Sequence, residues 1–433
     1  MKRALILLLF GLVYASSALA GEVLSLTDCL RLALENYPRL KRLAARTQAR
    51  EALKKAAEKD LLPRLSFGYR YSRLRDRQKI VILGHDVPIS SYEMVEADLT
   101  LEVPVFYGFS LRIKKALAAL EADVARVEEE RGRQQIAFEV KKAYYGYLTA
   151  KRRVKEAQKS LMRLKEHLRM ARAFYAKGLV ARHQVLASEV AVAEAEHRLV
   201  LAQNALKIAG YRLNFLLNRK LTAPLSLRDT LALSPRIKAL DAYLEEALSQ
   251  RPEMQAARLA LEMARKKIQL AKARYYPQVD LVGLYQKRGT DLLASQDPYW
   301  DRENIVFTLN LRLLLWDWGQ RGDQVAAARA EALAQQEAVR ELEKEIELEV
   351  RQAYLDFSAA KKRLKLAQKA LQSAQENFRL EKARFKEGLA PTADVLDAEA
   401  FLAAAEAHHL EALAALKLAH AALLLAVGAP PLP

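Results

Sequence analysis

The sequence predicts a mainly α-helical fold with a membrane β-barrel portion, and three observations predict it. Apolar residues step by threes and fours through two very long segments. Four runs of 9–11 residues alternate apolar and polar, as strands with lipid on one side and water on the other do. The whole pattern occurs twice, so the chain is two copies of one unit.

The chain starts MKRALILLLFGLVYASSALAGEV. Lys2 and Arg3 precede an apolar run from Ala4 to Val13, and Ala18 and Ala20 give a small-x-small cleavage pattern. Residues 1–20 read as a secretory signal peptide and stand outside the fold. No other stretch reaches the ~20 consecutive apolar residues of a spanning helix. The net charge of +18 would suggest nucleic acid, but an exported chain does not meet it. The cations are expected to coat solvated helices and to face anionic lipid headgroups. Cys29 is the only cysteine, so no intramolecular disulfide forms. Asp28 before it is too large for a lipoprotein box, and Cys29 is expected to pack as a small apolar residue.

The first repeat spans 21–218 and the second 241–433, with a linker at 219–240. Pro38 to Pro63 is 25 residues, as is Pro252 to Pro277. EVPVFYGF (102–109) parallels RLLLWDWG (312–319), and from there the offset stays at 210. Each unit opens with a helix after Pro38 or Pro252. Two strands follow: 64–76 and 93–105 in the first copy, 278–288 and 303–315 in the second. Leu65, Phe67, Tyr69 and Tyr71 share one face of the first strand, and Ile305, Phe307, Leu309 and Leu311 one face of the last. Four such strands cannot close a barrel with an interior, so other subunits must complete it.

A long helix comes next in each copy. Val339, Leu342, Ile346, Val350, Ala353 and Phe357 begin a coiled-coil seam, answered by Ile136, Val140, Ala143, Tyr147 and Ala150. From Ser110 to Lys177 such a helix would run ~100 Å. Each long helix ends at a Gly-Leu break, and a second long helix returns. The breaks are FYAKGLVARHQVLASE (174–189) and RFKEGLAPTADVLDAE (384–399), with tips near 178–183 and 388–392. The later copy carries Asp394 and Asp397 where the earlier has Gln184 and Ala187. Their spacing of three puts both carboxylates on one helix face. Asp394, in the first turn, also suits the helix dipole; Asp397 lies beyond that explanation.

The sequence holds no GxSxG, HExxH, P-loop or GxGxxG. His408 and His409 are adjacent and point to different helix faces. The chain reads as no enzyme, with no cofactor and no metal site.

The chain resembles the TolC family of outer-membrane efflux proteins over nearly its whole mature length. Three signatures carry the resemblance: LSLTDCLRLALENYP (24–38), the turn PVFYG (104–108) with its looser twin LLWDWG (314–319), and the doubled aromatic-x-x-Gly-Leu break. The resemblance implies a homotrimer in the cell outer membrane that extends into the periplasm. Its four strands per subunit would complete a 12-stranded barrel in outer-membrane lipid, above a coiled-coil tunnel. Segments 77–92 and 289–302 would be external loops, and 219–240 an equatorial belt. Gly178, Leu179, Val180, Arg182 and His183 on one tip, with Gly388, Leu389 and Ala390 on the other, would meet a periplasmic adaptor and an inner-membrane transporter. Asp394 and Asp397 match an acidic ring at the pore entrance. The family's entrance-closing links require side chains that Ala390, Phe385 and Gln184 do not supply, so closure must rest on other groups, with Arg182 and His183 as candidates. The alternative from another class is a soluble periplasmic coiled-coil adaptor or scaffold, which needs no lipid-facing aromatic strands.

Overall fold

A computed structural model describes residues 23–228, 238–295, 299, 301 and 303–431. The expected signal peptide lies outside these residues, as does 229–237 of the expected linker. The elements run β1 (Val23–Leu24), α1 (Leu26–Asn36), α2 (Pro38–Lys59), β2 (Arg64–Arg73), β3 (Lys79–Ile82), β4 (His85–Pro88), β5 (Glu93–Tyr107), α3 (Ser110–Ala176), α4 (Arg182–Leu216), β6 (Ser226–Leu227), α5 (Leu240–Gln250), α6 (Pro252–Ala273), β7 (Gln278–Gly289), β8 (Glu303–Arg312), α7 (Gln320–Lys386) and α8 (Thr392–Val427). The two halves match in length. The paired helices have 11 and 11, 22 and 22, 67 and 67, and 35 and 36 residues.

The chain forms two compact units, which interleave in sequence. The first holds residues up to Ala44, Val127–Gln255 and everything from Glu341 onward. It begins with a capping box: the Asp28 amide donates to Ser25 Oγ at 3.2 Å, and the Ser25 amide donates back to Asp28 Oδ2 at 3.0 Å. Asp28 therefore has a structural task, and its carboxyl is held below the usual range, first by the Ser25 hydroxyl. Cys29 packs with Leu30, Val140, Tyr144, Leu148 and Leu213 in the core. Burial pushes its thiol up to about 12, so it is an inert apolar residue. Tyr144, not the expected Tyr147, sits deepest in this part of the α3 seam, while Tyr147 Oη donates to the Leu225 carbonyl at 3.1 Å. Together with Asn214, which donates to the Leu221 and Ala223 carbonyls at 2.9 Å, it fixes the start of the 219–240 segment. That segment then pairs in parallel with the chain's beginning, Val23 with Ser226 and Leu24 with Leu227. α8 is rich in alanine and leucine, and by length and composition alone it could cross a membrane. Only part of its surface is buried within one chain.

The second unit, Ala45–Arg126 and Ala256–Arg340, carries an antiparallel sheet in the order β2-β5-β7-β8. Its register puts Phe67, Leu99, Tyr285 and Ile305 in one row, and Leu65, Leu101, Gly283 and Phe307 in the next. This face is apolar and exposed: Phe67, Leu65, Ile305 and Phe307 are 65–75% accessible. The opposite face is polar and internally paired. Glu96 meets Arg70 and Arg288, each at 3.4 Å, and Asp280 accepts from Asn310 at 2.9 Å and Arg312 at 3.2 Å. Some strand ends differ from expectation. β2 stops at Arg73 because the chain bends at 75–76, and β8 stops at Arg312. β5 runs on to Tyr107 across a bulge between Pro104 and Phe106, where a proline without N–H interrupts the ladder. The expected 77–92 loop holds the β3–β4 hairpin, with Ile80 opposite Val87 and Ile82 opposite His85.

Candidate pore entrance at the helix-hairpin tips

Both Gly-Leu breaks fold alike, for a backbone reason. Gly178 has φ +75° and Gly388 φ +73°, the left-handed conformation that ends a helix. The Gly178 amide donates to Tyr175 O at 2.9 Å and the Leu179 amide to Phe174 O at 2.9 Å. In the twin, Gly388 donates to Phe385 O at 3.0 Å and Leu389 to Arg384 O at 2.8 Å. These are Schellman caps, which satisfy the last carbonyls of α3 and α7. Each then exposes its leucine, Leu179 at 67% and Leu389 at 70%.

The two tips meet in a cleft of about 550 Å³ of mixed character, where Phe174, Leu179, Val180, Phe385 and Leu389 stand beside Gln184, Lys386 and Glu387. Phe385 is 1% exposed and packs with Ala171, Val185 and Val395. Ala390 is buried beside this cleft, and Val180 is half-buried. Gln184, which does not supply the family's charged link, does join the two tips of one chain. Its side-chain oxygen accepts from the amide of Thr392, the first residue of α8, at 3.4 Å. Arg182 and His183 are exposed at the start of α4, and neither side chain has an ion-pair or hydrogen-bond partner among the described residues.

Asp394 is half-buried in the first turn of α8, and Asp397 is exposed one turn on. Among the described residues neither has a cationic partner, and no His/Cys/Asp/Glu cluster could hold a metal. Neighbouring Val395 and Ala398 turn inward, so the two aspartates share the outward side of the helix.

Sequence reasoning missed a polar clamp above the cleft. Arg163 of α3 donates through Nε to Glu399 Oε2 at 2.7 Å and through Nη2 to Glu399 Oε1 at 2.9 Å. It also reaches Glu406 at 3.1 and 3.3 Å, and Ser160 Oγ donates to Glu399 at 2.8 Å. The Glu399 side chain is 3% exposed. Burial pushes the Glu406 carboxyl up, against the pull of Arg163. Between clamp and cleft lies His167, 3% exposed, 4.7 Å from the Phe385 ring and with neither nitrogen hydrogen-bonded. Burial, helped by Lys382, pulls its imidazole down to about 4, so the ring is neutral. The duplication held the available signal. Glu399 is the twin of Glu189, which pairs with Arg172 at 2.7 Å on its own hairpin, whereas Glu399 pairs across hairpins.

The fold and its duplication have counterparts among known proteins. The family model described as "Outer membrane efflux protein" matches residues 29–219 and again 243–429, once in each half. The chain is 24% identical over 415 residues to the alkaline protease secretion protein AprF of Pseudomonas aeruginosa, covering 92% of this chain and 83% of that one. It is 25% identical over 410 residues to the protein CyaE of Bordetella pertussis, covering 94% and 84%. Among solved structures, the outer-membrane channel OprN superposes with TM-score 0.81 at 21% identity, over 94% of this chain and 91% of that one. The open-state MtrE outer membrane channel of Neisseria gonorrhoeae superposes with TM-score 0.79 at 21% identity, over 94% and 89%.

Proposed function

The chain belongs to the outer membrane efflux protein family, and from that premise we propose that three copies form a passive export duct gated at the hairpin tips. It is an outer-membrane channel of the efflux and secretion type, and the reading as a soluble periplasmic scaffold is set aside. The observation that carries the proposal is an amphipathic sheet with two free edges. β2 and β8 each present an unpaired backbone edge, and one face of the sheet is apolar while the other is polar and ion-paired. A four-stranded sheet of this kind suits a barrel wall with lipid outside and water inside, and it closes only with copies of itself. Threefold symmetry, with four strands from each copy, gives 12 strands.

The helices support the same assembly. On α4, Leu186, Val190, Val200, Ile208 and Tyr211 are exposed and share one face of the helix. On α7, Leu348, Leu355, Leu366 and Leu380 recur on one line. Both stripes lack a cover within one chain and are suited to pack against each other across a subunit seam. Leu179 and Leu389 then supply paired apolar contacts for the hairpins of a periplasmic adaptor, which brings an inner-membrane transporter to the entrance. The segment 219–240 serves as the belt.

In a trimer Asp394 and Asp397 become six carboxylates around one axis, crowded enough to recruit cations. Single-channel recording in planar bilayers tests the duct and the ring together. The parent protein should conduct and be blocked from the tip side by polyvalent cations. Asp394→Ala with Asp397→Ala should conduct and lose that block. Block that persists in the double variant would remove the ring from the proposal.

A further inference from the structure

At the end of the sheet away from α3 and α7, the β2–β5 and β7–β8 connections carry cations and aliphatic side chains that an export duct does not need. Tyr69 and Tyr71 continue the apolar face of β2, and Arg73 follows them on the same face. Arg75, Arg77 and Lys79 come next, and all four cations are exposed. Their local partners are weak. Arg73 lies 3.9 Å from Glu93, Lys79 lies 3.3 Å from Asp86, and Arg77 sits over the Tyr92 ring at 4.7 Å. Arg75 has no ion pair among the described residues. Beside these cations the β3–β4 hairpin exposes Val81 at 71% and Leu83 at 95%. The other connection exposes Leu292 at 70% and Leu293 at 80%, and Tyr69 Oη ties it to β2 by donating to Leu292 O at 2.8 Å.

We propose that this end of the sheet docks onto phosphate-bearing lipid headgroups of the outward leaflet. Val81, Leu83, Leu292 and Leu293 enter the headgroup–acyl boundary, and Arg73, Arg75, Arg77 and Lys79 pair with lipid phosphates. The inference rests on the outer-membrane reading and adds to it the surface that meets the leaflet. Three physical arguments select this occupant. The β3–β4 hairpin extends the β2–β5 pair through the Leu74 amide to Tyr92 O and the Ile89 amide to Gln78 O, yet it leaves its large aliphatic side chains without a cover within the chain. Large aliphatic side chains beside arginines form an interfacial pattern, apolar into the boundary and charge onto headgroups. Guanidinium forks match phosphate bidentately, and Arg73, Arg75 and Arg77 supply three of them side by side.

The test uses the full chain in vesicles. Cys29, the only native cysteine, is buried, so Leu83→Cys can carry an environment-sensitive fluorophore. Leu292→Cys supplies a second, independent label. The expected result is a blue-shifted emission in vesicles containing a phosphomonoester-bearing lipid, with quenching by lipid-attached quenchers. The shift should shrink in purely zwitterionic vesicles and at high salt. It should be lost when Arg73, Arg75, Arg77 and Lys79 are all changed to Gln. Water-like emission from both labels in a protein that inserts and conducts overturns this inference and leaves the duct intact. A blue shift unaffected by the charge changes overturns the phosphate contact. Failure to insert into either vesicle overturns the dock and the membrane reading together.

Discussion

Arg163 serves two carboxylates at once, and that sets its value. Removing it strands Glu399, whose side chain is 3% exposed, with only Ser160 as partner. Breaking a buried pair from one side costs roughly 3–5 kcal/mol. Arg163→Met should therefore lower equilibrium unfolding stability by about that amount. Glu399→Gln should cost less, because it keeps an acceptor for Ser160 and leaves Arg163 with Glu406. An Arg163→Met protein as stable as the parent would show that the clamp is solvated. His167 works in the opposite direction. Its folded imidazole titrates at about 4, below its ordinary 6.5, so the unfolded chain binds more protons between those values. Stability should be unaffected above 6.5 and should fall as pH drops from 6.5 towards 4. His167→Leu should abolish that component, and it should not destabilise at neutral pH because both ring nitrogens lack hydrogen bonds. Unfolding midpoints at pH 7 and pH 4.5 for both proteins decide it. Neither residue was legible in the sequence. Arg163 and Glu399 are 236 positions apart, and a lone histidine on a helix has no period to betray its burial.

At the scale of elements, the long helices, the four strands and both glycine breaks were legible, because each follows from a local pattern. Period two places a strand and a three-four alternation places a helix, while Gly-Leu after a helical run signals a left-handed cap. The β3–β4 hairpin was not legible. Its turn, Leu83-Gly84, lacks the Asn-Gly or Asp-Gly signal, and Leu83 takes φ +51° without being glycine. The bulge at Pro104 hid for a similar reason: a proline reads as the end of a strand, yet β5 continues past it. The strand-to-helix turns show how duplicated motifs diverge. Gly108 has φ +58°, and a Cβ there would lie 2.4 Å from the Ala273 carbonyl oxygen. Gly319 has φ +90°, with nothing within 4 Å of a built Cβ. Gly319→Ala should therefore cost only backbone strain, roughly 1–2 kcal/mol. Gly108→Ala must also move backbone and should lower the melting temperature distinctly further. Equal shifts would mean that the α6–β7 connection yields freely at Ala273.

At the scale of the whole molecule, the duplication told most, because 210-residue periodicity can be read without knowing a single contact. The sequence could not tell which surfaces a further copy would cover in the proposed trimer. In a coiled-coil seam buried and unburied apolar positions look alike, and only packing within one chain separates them. Ile346, Val350 and Phe357 are 0–1% exposed, whereas Leu348 and Leu355 on the same helix are 67% exposed. The same separation on α4 makes the assembly testable. Ile208 is 45% exposed towards the C-terminal end of that stripe, and Val200 is 61% exposed two turns away. Ile208→Glu would place a carboxylate in a dry seam if a neighbour packs there, and in water if none does. A charge without a partner cannot be carried into such an interface, so assembly should fail while the single chain stays folded. Gln203→Glu, exposed on the same helix away from the stripe, is the matched control. Mass measurement in detergent should find trimers for the parent and for Gln203→Glu, and monomers with undiminished helical circular dichroism for Ile208→Glu. Trimers of Ile208→Glu would mean that α4 faces solvent in the assembly, and the seam would then have to be sought elsewhere.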